Sequence, residues 1–328
     1  MQHQKDPTDA TSHRRRMNMV PVLATLLLAL AILTHSSLSL PQHGDERMYV
    51  WKGGYYGSRL ARLDFSPGGE EPYLDPGWDP FSFWAVEQPL GSHLVYAATM
   101  GITGTSPPED PFCWGEALFQ GDNTAIPPDT LVATRFVAVL CASLGLALIS
   151  WRFGWVGVAA SALFLTIPHV RSDLGRAWAE GPLLLGLGIG AATYGTFWFP
   201  FAAGATAALK LTGLALWPVA FFRHPIGRSN LSHIASVGVA WLAWSIASPL
   251  SWTLGGPPHL IVLVSHRIQT YMTQSTLNEG WLGEQLAQER VFGLYLPTRY
   301  LWPLELGVLL LLCHLAARWI AARKARLP

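Results

Sequence analysis

DERMYVWKGGYYGSRLARLDF, residues 45–65, leads through a Gly/Pro/Asp-rich run into WDPFSFWAVEQPLGSHL, residues 78–94. This stretch is polar, acidic and aromatic, and an apolar run lies on either side of it. Helix connections in bundles usually take only about 2–8 residues, so a segment of this size between two apolar runs reads as a working loop. The rest of the chain reads as the scaffold that holds it at a membrane surface.

Composition agrees. Of 328 residues, 50% are hydrophobic and 13% charged, against roughly 25% charged in soluble domains. Fifteen Trp, 24 Pro and 31 Gly suit spans and their interfacial ends. The formal net charge of +1 gives no reason to expect nucleic acid as a partner. Cys113, Cys141 and Cys313 are scattered, which fits neither a disulfide framework nor a metal cluster.

Working outward, Arg14, Arg15 and Arg16 precede the apolar run 17–41 and place the N-terminus in the cytoplasm. A cleaved signal peptide, with the small residues of SSLSL at its end, is the alternative; either way Asp45 falls outside. Further spans are expected at 89–104, 130–150 and 155–170, the last two joined by a tight turn at WRFG. Residues 181–222 carry one charge, Lys210, and are long enough for two spans with a turn near Phe199 and Pro200. Spans at 233–254 and 302–322 complete an all-α, polytopic transmembrane bundle of about eight spans. Its parts are an N-terminal tail (1–18), a transmembrane domain (19–322) with long extracytoplasmic loops at 42–87 and 255–298, and a basic tail (323–328). Both termini are cytoplasmic, supported by Arg223, Arg228, Arg323, Lys324 and Arg326.

Asp45 and Glu46 sit at the membrane interface, where the plain reading is a helix cap on a short interfacial helix. Asp79 lies close to the next span, and Glu87, Gln88 and His93 line a cavity at that span's outer end. Lys210 within an apolar run either snorkels or pairs with a carboxylate or a phosphate. Arg135 and Glu180 are near span boundaries. Glu305 faces the same cavity from the last span, while His266, Arg267, Arg290 and Arg299 are the outer-loop cations available to an anionic group. No GxGxxG, Walker A, HExxH or GxSxG is present. Acids opposite cations at an outer surface suit chemistry on a lipid-linked, phosphorylated substrate.

These residues carry a resemblance. Asp45, Glu46, Tyr49, Tyr56, Arg59 and Ala61 after the first span resemble the DE…Y…Y…R-x-A motif of GT-C membrane glycosyltransferases. The protein O-mannosyltransferases and the lipid A aminoarabinose transferase are the members most similar in style. Glu87, Gln88, Pro89 and Leu90 stand where that family has Lys-Pro-Pro-Leu; two later stretches resemble family motifs through Arg135 and Lys210. The resemblance implies a polyprenyl-phosphate sugar donor, Asp45 as general base and no tightly bound cofactor. Acceptors are a protein hydroxyl, a lipid or a glycan, at the outer face of a bacterial-type plasma membrane. Glu87 departs from the family lysine, so another cation such as Lys210, Arg267 or Arg290 must hold the phosphate, or the donor differs. A divalent metal is compatible with the family, but this chain has no Asp-x-Asp. Two rival readings remain: a transporter or flippase, supported by Lys210 and the Gly-rich run 185–195, and a non-catalytic subunit whose acidic loops bind a partner.

Overall fold

The computed structural model describes residues 19–63, 91–108, 126–223, 230–247, 290–291, 294–295 and 302–324. Among these the chain is helical except for one two-residue antiparallel pair, Arg290–Val291 (β1) with Leu294–Tyr295 (β2). The helices are α1 (Met19–Ser39), α2 (Gly44–Ala61), α3 (Gly91–Thr103), α4 (Pro128–Phe153), α5 (Trp155–Phe164) and α6 (Pro168–Leu174). They continue with α7 (Glu180–Thr193), α8 (Phe199–Leu209), a 3₁₀ turn (Leu211–Ala215), α9 (Leu216–Arg223), α10 (Asn230–Ala247) and α11 (Trp302–Lys324).

Helix α4 is the hub, packed by α1, α5 and α7, while α2 rests on α3, α8 on α7 and α10, and α11 on α5. Ala29 and Leu33 of α1, Val139 and Leu146 of α4, Phe164 of α5 and Leu183 and Leu184 of α7 form the main core. Small residues set the spacing. A Cβ on Gly145 would lie 2.3 Å from the Leu184 carbonyl oxygen, and one on Gly188 would lie 2.4 Å from that of Gly145. The backbones of α4 and α7 therefore touch, as small-residue seams allow in membrane helices. Gly145→Val is expected to cost about 1–3 kcal/mol, at the upper end because rigid backbone receives the clash. Thermal melts in detergent check this, with Gly238→Ala as control because open space surrounds Gly238.

Two helices, Met19–Ser39 and Pro128–Phe153, are long and apolar enough to cross a membrane. At about 1.5 Å per residue, the 21 residues of α1 match a hydrocarbon core of about 30 Å. Large apolar side chains face outward on α1 (Leu23, Leu27), α4 (Val132, Phe136) and α11 (Leu311, Leu312, Leu315, Trp319). Water would penalise such faces, whereas lipid covers them without cost.

Of the eight spans expected from hydropathy, α1, α4 and α11 run uninterrupted through 21, 26 and 23 residues. Trp155–Phe164 and Phe199–Leu209 are apolar helices too short to cross. The breaks have local causes. Gly154, at φ +62°, ends α4 and starts α5, at the expected WRFG turn. Between α7 and α8 the turn covers 194–198, with Gly195 at φ +80°, directly before Phe199 and Pro200, near which it was expected. Pro200 lies instead in the first turn of α8, where its missing N–H costs nothing. Lys210 adopts an extended conformation, φ −158°, and interrupts the run between α8 and the 3₁₀ turn.

Candidate functional site

The segment 44–61 is an α-helix, as expected for a short interfacial element. It is not a solvated one. Glu46, Arg47, Lys52 and Arg59 are all buried, together with Tyr49, Val50 and Tyr56. Glycines let α3 approach: Cβ atoms on Gly53 and Gly57 would each lie 2.6 Å from α3, at the His93 carbonyl oxygen and the Ala97 Cβ. Tyr49 stacks on the buried His93 ring at 4.6 Å, and the Arg59 guanidinium sits 5.8 Å from the Tyr55 ring centre.

His43 precedes α2, Asp45 is its second residue, and the side chain of Asp45 lies outside the described residues. The reach-back to the cap comes from Glu46, whose Oε2 accepts the His43 N–H at 2.9 Å, one half of a capping box.

Glu46 is also the centre of a buried clasp. Its Oε1 accepts from Arg135 Nε at 2.8 Å and from the Ala177 N–H at 2.9 Å, and its Oε2 accepts from Arg135 Nη2 at 2.7 Å. Arg176 Nη1 stands 3.8 Å from Oε2. Arg135 spends its remaining donors on the end of α1: Nη1 donates to the Ser37 and Leu40 carbonyls at 3.0 and 2.8 Å, and Nη2 to Pro41 at 2.9 Å. One side chain thus closes the C-terminus of α1, fixes α2 and joins both to α4. All five guanidinium N–H groups are used. With both oxygens accepting N–H bonds, Glu46 is the positioning member of the acidic pair.

The segment Arg176–Glu180 ties this clasp to a second pair. Ala177 and Arg176 reach Glu46, the Trp178 carbonyl accepts the hydroxyl of the fully buried Tyr96, and Glu180 accepts from Lys210 Nζ. Lys210 therefore pairs with a carboxylate, one of the outcomes its apolar setting suggested. Trp178 lies edge-on to His43 at 5.0 Å with the Arg176 guanidinium 5.3 Å from its ring centre. Its buried indole N–H has no acceptor among the described residues. The start of α3 packs on the same place: Ser92 Oγ donates to the Leu209 carbonyl at 3.1 Å.

Three sequence motifs thereby converge. The acidic pair at 45–46, the arginine at 135 and the lysine at 210 meet through residues 176–180. Gly91 and Ser92, which follow the Glu87–Leu90 motif, lie beside the end of α8 that leads into Lys210. No family model, curated protein or solved structure matches the chain. The site is therefore argued from its own geometry.

Asp79, Glu87, Gln88, His266, Arg267 and Arg299 lie outside the described residues, as do the side chains of Asp45, Arg290 and Glu305. Among the described residues no three His, Cys, Asp or Glu side chains gather as a metal would need. Sequence reasoning missed Arg47, Lys52, Arg176 and Trp178. The polar patch 171–180 was visible as a break between apolar runs, but nothing in it signalled burial. Lys52 occupies a Gly-rich polar run that reads as solvent-exposed, yet it is 1% exposed.

Proposed function

We propose that this chain is a multi-pass membrane glycosyltransferase of GT-C type, moving a sugar from a polyprenyl-phosphate donor to an acceptor at the outer face of the plasma membrane. The observation that carries the reading is the convergence of the acidic pair, Arg135 and Lys210 on residues 176–180. In this reading Asp45 is the general base, deprotonating the acceptor as it attacks the sugar's C1 and the polyprenyl phosphate leaves. Glu46, held by Arg135 and Arg176, fixes the helix turn that carries Asp45. Arg47 and Lys52, buried on the same helix, supply positive potential where phosphate charge develops. The basic residues at both ends place the termini in the cytoplasm; α1 then crosses outward and puts α2 outside, and α4 crosses back beside it. The acceptor is a protein hydroxyl, a lipid or a glycan.

Proteoliposomes carrying labelled polyprenyl-phosphate sugars and a crude acceptor fraction test this. Asp45→Asn is expected to lower transfer at least roughly a hundredfold with an unchanged melting temperature. Equal transfer by both chains would reduce Asp45 to a dipole partner and remove the mechanism.

A transporter or flippase is the second reading. It is favoured by the extended break at Lys210, paired with Glu180 within an apolar stretch, since broken helices with charged partners mark transport sites. Flux of a lipid-linked sugar without transfer, insensitive to Asp45→Asn, would select it.

A further inference from the structure

The outer half of α1 has a second polar face, directed away from the clasp. A groove of about 550 Å³ runs between it and α6. Ala31, Ile32 and Pro168 make its apolar walls, and His35, Arg171 and Ser172 its polar ones. Among the described residues no carboxylate lines it. Arg171 is half-buried, and no described acceptor or ring engages its guanidinium. Ser172 Oγ accepts from Arg176 Nε at 3.4 Å, so its own proton remains to donate. His35 is exposed at the mouth. Ser36 and Ser39 differ: their protons go to the carbonyls of Arg171 and Ser36, at 3.4 and 2.7 Å. Both hydroxyls therefore offer oxygens as acceptors.

The depth is set by α1. His35, Ser36 and Ser39 lie in the final stretch of α1, at the level where Arg135 closes the helix end from the other side. For a helix that spans the bilayer, this is the headgroup zone. Toward the membrane interior, Leu27 and Leu28 lie one turn below Ala31 and Ile32 and are exposed, continuing the apolar side of the groove at helical spacing.

We infer that this groove holds the headgroup of an anionic phospholipid whose phosphodiester meets Arg171, Ser172 and His35. A hydrogen-bond donor of the headgroup meets Ser36 and Ser39, and the acyl chains lie along Leu27 and Leu28. The inference rests on α1 crossing a membrane and is independent of the sugar-transfer reading. The charge pattern selects the occupant: a cation and donors at one end, acceptors at the other and hydrocarbon below.

Native mass spectrometry of the full chain in detergent tests it, with phosphatidylglycerol, phosphatidylcholine and inorganic phosphate as probes. The expected result is one retained phosphatidylglycerol, held about tenfold more tightly than phosphatidylcholine, which carries the phosphate but no donor and no net charge. Arg171→Met is expected to lower that retention about tenfold. Ser39→Trp, which fills the groove from an exposed position, should lower it comparably, while Arg62→Met, in the turn after α2, leaves it unchanged. Retention equal to the native chain in both groove variants would overturn the proposal. Displacement of phosphatidylglycerol by equimolar inorganic phosphate would overturn the lipid assignment, because a simple anion site would then suffice.

Discussion

Replacing Arg135 with leucine is expected to lower stability by about 3–5 kcal/mol, read as a large fall in melting temperature in detergent. The substitution strands the Glu46 carboxylate, which is 0% exposed, and removes the donors to the Leu40 and Pro41 carbonyls. A buried ion pair as such is weak evidence for stability, because two apolar residues of similar shape often serve as well. This pair differs because it also satisfies backbone. Glu46→Leu combined with Arg135→Leu leaves the His43 and Ala177 N–H groups without their carboxylate, and each buried orphan costs about 1–3 kcal/mol. The double variant is therefore expected to recover little. Full recovery would show that the clasp is only a charge pair.

Lys210→Met is expected to cost about 3–5 kcal/mol by the same reasoning, since Glu180 is 4% exposed and loses its cation. Here the outcome of the double variant reverses. Glu180 lies in the first turn of α7, where the helix dipole already favours a carboxylate, and its contact with Lys210 joins two side chains. Glu180→Gln with Lys210→Met should recover most of the loss. Melting curves of the four chains decide this, and an equal loss in single and double variants would mean that Lys210 serves other groups instead. The contrast between the two cycles separates an architectural pair from one free to change partners.

The parts of this fold legible in the sequence are those with local causes. Gly154 ends α4 because a left-handed backbone there suits glycine, and WRFG announced it. Helix α2 was readable between Asp45 and Ala61, and Lys210 was singled out because one charge in an apolar run demands a partner. What was not legible is long-range. Glu46 and Arg135 stand 89 positions apart, and no periodicity links them. The burial of Lys52 and Arg59 likewise depends on α3 meeting Gly53 and Gly57, a contact that the reading of this run as an interfacial helix did not include. Hydropathy also sums over Lys210 without registering that the backbone turns there.

The clasp also sets a schedule for biogenesis. At about 5–20 residues per second, a ribosome needs roughly 5–20 seconds to travel from Glu46 to Arg135, and longer to reach Arg176. During that interval the nascent α1–α2 unit carries a carboxylate with neither of its eventual guanidinium partners. A chain arrested before α4 would present it uncompensated to the insertion and quality-control machinery. Completion of α4, rather than exit of α1, is then the moment when the first third of the polypeptide becomes committed to its final arrangement.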